Sequence, residues 1–301
     1  MHTIRPPITA ITLLMATAAL IQAAGPEIRR DVEFAVVSGE SLRLDAWLQP
    51  AESSPAVIYV HGGGFTGGDK RHLETGFKPI FELLLPAGFS VISVDYRVAP
   101  KHPFPAAPDD VKTAIAWIRK HAASLRIDPQ RLALMGDSAG GMIVSYAGAR
   151  PSPESRVAAV VSFFGEHDFA LRVSEDPCAV DGRTIPRPKG GCISGGMAAF
   201  LGFRELQTPA QQRILDEATV VHHVHRGMPR YLLLHGTRDY GVPIEQSHSL
   251  QQAMRRVGAD CQLVAVVGGS HGIGGWTGPH QTHYKRRVIE WLIDTMGKSA
   301  P

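Results

Sequence analysis

The sequence predicts an α/β fold, with a mostly parallel, doubly wound sheet and helices on both of its faces. Three observations predict it. Apolar runs of strand length alternate with segments of helical periodicity through most of the 301 residues. Runs such as residues 56–60 and 157–164 are almost entirely apolar, which is typical of strands buried on both faces. Residues 108–123 carry apolar side chains at helical spacing and two aspartates in the first turn, which indicates an amphipathic helix.

The other elements follow from similar signals. Strands at 32–37 and 42–48 flank a Ser-Gly-Glu-Ser turn, and a helix at 73–85 ends near a Pro-Ala-Gly sequence. A strand at 132–135 and a helix from residue 142 flank a glycine-rich turn. The remaining predicted elements are strands at 89–94, 231–234 and 262–267, and helices at 244–257 and 280–296.

The alternation breaks after the sixth strand. Residues 168–210 are rich in proline and glycine and form an insert, which in a compact domain is usually a lid or binding loop, or a disordered segment. We expect residues 25–301 to form one domain that includes this insert.

The N-terminus predicts export. Arg5 precedes the apolar stretch 8–21, and the small residues at 23–25 offer a cleavage site after Ala23 or Ala24. The stretch is shorter than the roughly 20 residues of a membrane span. We therefore expect a secretory signal peptide at 1–24 and a periplasmic or secreted protein. The alternatives are an uncleaved anchor or a disordered tail.

The composition is that of a globular protein and does not indicate nucleic-acid binding. The apolar fraction of 44% is ordinary for a globular chain, and a net charge of +3 without a long basic run argues against nucleic-acid binding.

In an oxidising compartment Cys178 and Cys192 are predicted to form a disulfide, which would stabilise the fold by about 3 kcal/mol if unstrained. Cys261 is expected to be a buried free thiol.

The Gly-x-Ser-x-Gly pattern occurs twice. Around Ser138 it lies between a strand and a helix, which is the context of a nucleophile elbow. Around Ser270 it precedes a segment too rich in glycine and proline for a stable helix. Ser138 is the predicted nucleophile, and Ser270 is assigned to a loop.

A serine nucleophile needs a base and an orienting carboxylate. Asp239 and His271 each follow a predicted strand, and both come after Ser138 in the order that doubly wound hydrolases use. The competing carboxylates, Asp216, Glu245 and Asp260, lie in predicted helices or before a strand.

The remaining site candidates come from loops at strand ends. Gly63 and Gly64 follow the strand 56–60, and their backbone N–H groups, with that of Ala139, are predicted to form the oxyanion hole. Three aromatic residues near the catalytic loops are candidate substrate-binding residues, with burial in the core as the alternative: Phe65, Phe164 and Trp276. A cluster of His222, His223 and His225 has no nearby ligand partners, so no metal site is predicted.

Five segments together resemble a known family. They are HGGGFTGGDK (61–70), DYRVAPKHPFPAAPDD (95–110), GDSAGG (136–141), HGTRDYGVP (235–243) and GGSHG (268–272). The chain is similar to α/β-hydrolase fold serine esterases of the hormone-sensitive-lipase-like and bacterial feruloyl-esterase-like (BD-FAE-like) group. The resemblance implies hydrolysis of small carboxylic esters, aryl or short-chain, without a metal or organic cofactor.

Two features depart from the hormone-sensitive-lipase-like pattern. No sizeable cap precedes residue 61, and the acid block reads His-Gly-Thr-Arg-Asp, which is more similar to capless esterases. The insert 168–210 is then expected to act as the lid. Two alternatives stay open: an amidase, aryl-formamidase or peptidase with the same triad, and a non-catalytic binding protein on a hydrolase fold.

Overall fold

The computed structural model describes residues 25–175, 179–180, 183–184, 193, 195–279 and 282–297. The strands are β1 (Glu27–Val37), β2 (Glu40–Leu48), β3 (Ser54–Val60), β4 (Ser90–Val94), β5 (Ile127–Asp137), β6 (Ala159–Phe163), β7 (Ala179–Val180), β8 (Arg183–Thr184), β9 (Arg230–Gly236) and β10 (Cys261–Val266). The helices are α1 (Lys78–Leu84), α2 (Ala106–Lys120), α3 (Ala139–Ala149), α4 (Phe169–Glu175), α5 (Gly195–Leu201), α6 (Pro209–Ala218), α7 (Glu245–Arg256) and α8 (His283–Met296).

Eight of the strands form one sheet in the order β1-β2-β4-β3-β5-β6-β9-β10. The pairs β1–β2 and β2–β4 are antiparallel, and the other five pairs are parallel. The central strands β3, β4 and β6 consist almost entirely of buried residues, as their largely apolar sequences predict. The predicted mostly parallel sheet is confirmed.

Helices cover both faces of this sheet. One apolar cluster packs α2, α3 and α7 against one face, through residues such as Val111, Ile143 and Leu250. A second cluster packs α1 and α8 against the other face, through residues such as Ile80 and Trp291. The parallel strands therefore bring their carboxyl ends, and the loops that follow them, to one edge of a covered sheet.

The single helix predicted at 73–85 is wrong in its extent. A 3-10 helix (Lys70–Glu74) ends first, and α1 begins at Lys78. Pro79 lies in the first turn of α1, where its missing N–H costs nothing. A Cβ at Gly76 would lie 2.1 Å from the His72 ring, so a larger residue there would require this ring to move.

The insert predicted at 168–210 contains regular structure. Helices α4 and α5 lie within it, and α5 packs on the loop after β3. The Phe200 ring of α5 stacks on Phe65 at 4.2 Å between centroids, and the Phe200 carbonyl accepts a hydrogen bond from the Phe104 N–H. These contacts fix α5 above the carboxyl edge of the sheet.

Two further predictions concern the membrane and the cysteines. Among the described helices none is both long and apolar enough to span a bilayer. Cys261 is a buried free cysteine, and burial raises the pKa of its thiol to about 12, so it is a poor nucleophile. Cys178 and Cys192, like residues 1–24, lie outside the described residues.

Candidate active site

Ser138 lies at a sharp turn between β5 and α3. Its backbone has φ 53° and ψ −120°, a strained conformation for a residue with a side chain. Glycine is required on both sides of it. A Cβ at Gly136 would lie 2.5 Å from the Gly140 carbonyl oxygen, and one at Gly140 would lie 2.2 Å from the Val60 carbonyl oxygen. The close approach of β3, β5 and α3 therefore explains the GDSAGG sequence.

Ser138, His271 and Asp239 form a hydrogen-bonded line. His271 Nε2 lies 3.0 Å from Ser138 Oγ, and His271 Nδ1 lies 2.7 Å from Asp239 Oδ2. A carboxylate only accepts hydrogen bonds, so the ring proton is assigned to Nδ1, which leaves Nε2 free to accept from the serine hydroxyl. The residues converge from the ends of β5, β9 and β10.

Asp239 is held as a carboxylate. Burial by itself would raise its pKa, but hydrogen bonds from His235, His271 and the Val242 N–H outweigh burial and hold the pKa well below its ordinary value. Its Oδ1 accepts from the N–H groups of Gly241 and Val242, both at 2.9 Å. The side chain can therefore orient His271 without taking up its proton.

His235 supports this arrangement from inside the protein. The ring is fully buried, and its Nε2 lies 2.8 Å from the Val242 carbonyl oxygen and 3.5 Å from Asp239 Oδ2. Its Nδ1 lies 2.7 Å from Ser247 Oγ on α7. The loop that carries Asp239 is thus fixed to the helix behind it.

The loop after β3 turns sharply over Ser138. Gly63 and Gly64 have φ values of 122° and 59°, which glycine adopts without strain, and Phe65 has a φ of 66°, which is uncommon for a residue with a side chain. Gly64 and Ala139 line a pocket together with Ser138. Gly63 forms the turn itself, since its carbonyl accepts from the Thr66 N–H and a Cβ would lie 2.2 Å from the Gly67 carbonyl oxygen.

Buried polar side chains hold this loop in place. Asp137, beside the nucleophile, accepts hydrogen bonds from the Gly62 N–H at 3.0 Å and from the Tyr59 hydroxyl at 2.5 Å. The His61 ring stacks on Tyr96, whose hydroxyl donates to the His61 carbonyl at 2.9 Å. Burial lowers the pKa of His61, so the ring stays neutral. His61 and Asp137 therefore order the loop.

The three aromatic candidates lie in different places. Phe65 lines the pocket beside Ser138. Phe164 and Trp276 pack around the loop that carries His271: the Phe164 ring lies 4.8 Å from the imidazole, and the Trp276 indole donates to the Ser270 carbonyl at 2.8 Å. Ser270 is thus a loop residue beside the histidine, and the aromatic pair orients that loop.

Comparison with known proteins identifies the family. Residues 44–254, more than half of the chain, match BD-FAE. The chain belongs to the BD-FAE family. Esterase LipC of Mycobacterium tuberculosis is 31% identical to it over 262 residues, which cover 78% of this chain and 59% of LipC. For LipM of the same organism, a probable carboxylic ester hydrolase, the match covers 50% of the relative. The chain thus spans little more than half the length of these relatives.

Solved structures of other proteins have the same fold as this chain. A truncated carbohydrate esterase from gut microbiota superposes with a TM-score of 0.75 at 25% identity, over 92% of this chain and 99% of that one. The butyrate-bound esterase Est2 of Thermogutta terrifontis gives a TM-score of 0.69 at 24% identity, over 93% and 97% of the two chains. The fold of this BD-FAE chain is the α/β-hydrolase fold.

The pocket of this BD-FAE chain also contains two residues that sequence analysis missed. Glu166, after β6, and Arg172, on α4, line it together with Ser138. A signal for Glu166 was present, because it follows a parallel strand at the edge where ligands bind. Arg172 carried no such signal, since its position depends on how α4 packs.

Proposed function

We propose that this protein is a serine esterase that hydrolyses carboxylic esters through an acyl-enzyme. The observation that carries the proposal is the hydrogen-bonded line from Ser138 through His271 to Asp239. It lies at the N-terminus of α3, whose first N–H groups have no partner within the helix and favour developing negative charge. The names of the relatives, esterase and probable carboxylic ester hydrolase, point to the same reaction.

Each residue has one role in the proposed reaction. Ser138 Oγ attacks the ester carbonyl while His271 Nε2 takes the hydroxyl proton, and Asp239 stabilises the imidazolium. The N–H groups of Gly63, Gly64 and Ala139 stabilise the oxyanion. The carbon–oxygen bond to the alcohol then breaks as His271 returns the proton to the alcohol. A water molecule, deprotonated by the same histidine, releases the acid from the serine.

The pocket favours a short acyl group. Its volume is about 150 Å³. An engineered protein cavity of about this volume holds one benzene, which has about six heavy atoms. A feruloyl group has roughly twice as many heavy atoms and would extend beyond the pocket. We therefore propose short-chain esters as the substrates.

The role of Ser138 can be tested with Ser270, in the second Gly-x-Ser-x-Gly sequence, as the matched control. Ser138→Ala should lower kcat/KM for 4-nitrophenyl acetate by a factor of about 10⁴ or more. Ser270→Ala alters the second Gly-x-Ser-x-Gly sequence and should keep nearly wild-type activity. An organophosphonate should label wild-type protein at Ser138, as peptide mass shows. Wild-type turnover by Ser138→Ala would refute the mechanism. Hydrolysis of a matched anilide as fast as the ester would favour the amidase alternative.

The compartment is also a proposal. The charged start, apolar stretch and small residues of 1–24 support a cleaved signal peptide and a periplasmic or secreted mature protein. In that compartment a disulfide between Cys178 and Cys192 would close the segment between α4 and α5.

A further inference from the structure

The wall of the substrate pocket contains a buried ion pair. Arg172 Nε lies 3.1 Å from Glu166 Oε1, and the two side chains are only 14% and 10% exposed. Both residues line the same small pocket as Ser138. A pocket built for a plain alkyl chain would be lined by apolar side chains, because burying charges against an alkyl group removes their hydration without replacing it.

The pocket lies on the acyl side of the ester. It contains the nucleophile together with Gly64 and Ala139, the proposed oxyanion residues. His271, which must reach the oxygen of the leaving alcohol, has a side chain that is 36% exposed. The alcohol therefore departs toward the exposed histidine, and the acyl group enters the pocket that Glu166 and Arg172 line.

The pair is fixed before any substrate arrives. Arg172 Nη2 donates to the Gly241 carbonyl at 3.0 Å, on the loop that carries the triad aspartate. At the start of α4, Asp168 Oδ1 accepts from the Leu171 N–H at 2.8 Å, and Ser249 Oγ donates to Asp168 Oδ2 at 2.5 Å. A polar group placed in this way gives specificity at a low entropic cost.

The charges select the kind of polar group. The two opposite charges lie side by side in the pocket wall, so Glu166 would repel an anionic acyl group and Arg172 would repel a cationic one. A neutral hydroxyl can both donate to a carboxylate and accept from a guanidinium. We propose that Glu166 and Arg172 determine acyl specificity and select short esters whose acyl chain carries a hydroxyl group. The proposal rests on the proposed ester hydrolysis at Ser138.

The test compares ethyl 3-hydroxybutyrate, as separate enantiomers, with ethyl butyrate. The two esters differ by one hydroxyl and release the same alcohol, and both acyl groups are near the size that the pocket holds. Wild-type protein should prefer the better hydroxy enantiomer in kcat/KM by about tenfold or more, after correction for the rates of alkaline hydrolysis.

Two variants assign this preference to the ion pair. Glu166→Leu/Arg172→Met removes both charges together, so neither remains buried without its partner, and should abolish the preference. Glu166→Gln keeps the size of the side chain and should lower the preference at least about threefold. Arg172 also holds the Gly241 loop, so turnover of both esters is expected to fall in the double variant. The ratio of kcat/KM for the two esters is not changed by this loss, because both esters are hydrolysed by the same proposed triad.

The outcomes separate a failure of the specificity proposal from a failure of the proposed function. A wild-type ratio equal to that of alkaline hydrolysis would overturn the specificity proposal, and so would a preference that is unchanged in Glu166→Gln. If neither ester is hydrolysed and Ser138 is not labelled by an organophosphonate, the proposed function itself fails. If Ser138 is labelled and both esters are hydrolysed without preference, only the specificity proposal fails.

Discussion

Gly196→Ala tests whether the insert helps to shape the oxyanion hole. Gly196 lies in the first turn of α5, directly against the loop after β3. A Cβ at this position would lie 2.0 Å from the Gly64 carbonyl oxygen and 2.9 Å from its carbonyl carbon. Because side chains almost never approach closer than 3.0 Å in this way, α5 and the loop must separate by about 1 Å.

The separation of α5 from the loop after β3 should lower kcat. Both partners are anchored: the Ala99 N–H donates to the Phe65 carbonyl on the loop side, and the Phe104 N–H donates to the Phe200 carbonyl on the α5 side. The loop therefore takes part of the shift. Oxyanion donors act at about 2.7–3.1 Å, and losing one costs about 10²–10³ in kcat, or about 3–4 kcal/mol. We expect a fall in kcat of about a hundredfold.

The assay is kcat at saturating short-chain ester, corrected for the active fraction by titration with an organophosphonate. Gly67→Ala is the matched control. Gly67 belongs to the same loop, but a Cβ there would meet nothing within 4 Å, so kcat should stay near the wild-type value. Wild-type kcat in Gly196→Ala, with an unchanged melting temperature, would refute the reasoning, because the contact would then not constrain the loop.

Two further predictions concern stability and the cysteines. Burial and the neighbouring His235 lower the pKa of the fully buried His167 to about 3 from an ordinary 6.5, so on acidification the unfolded chain takes up this proton first. The free energy of unfolding should fall by about 2 kcal/mol between pH 7 and pH 5 from this group alone. Urea unfolding of His167→Gln should show a correspondingly weaker pH dependence, and curves parallel to wild type would contradict the assignment. If Cys178 and Cys192 are paired in the exported protein, thiol titration in denaturant should find one thiol without reductant and three with it. Three thiols in both conditions would exclude the bridge.

The hydrogen-bonded line of Ser138, His271 and Asp239 was predictable because each residue has a local sequence signal and the sheet topology brings the three together. Ser138 lies between a strand and a helix, and Asp239 and His271 each follow a strand. In the sheet order β5-β6-β9-β10, the ends of these strands come to one edge. No long-range distance had to be known to expect the three residues together. The same logic extends to Glu166 after β6, although its sequence carries no motif.

Features that depend on packing between distant segments were not predictable in this way. Arg172 reaches the pocket because of where α4 lies, and Asp168, just before α4, is held by a hydrogen bond from Ser249 on the distant helix α7. The break before α1 had local signals in Gly76 and Pro79, but the apolar periodicity of 73–85 outweighed them in the prediction. Periodicity reports which face of a segment is buried, and it does not report whether the segment is continuous.

The described parts of the insert contact both halves of the proposed catalytic apparatus. Through Gly196 and Phe200, α5 rests on the loop that carries the oxyanion donors. Through Arg172, α4 holds the Gly241 carbonyl, while the Gly241 N–H holds Asp239. A segment that only covered the substrate would affect binding, and its changes would appear mainly in KM. Because this insert contacts the loop of the proposed oxyanion donors and the loop that carries Asp239, changes in it should lower kcat as well as alter KM.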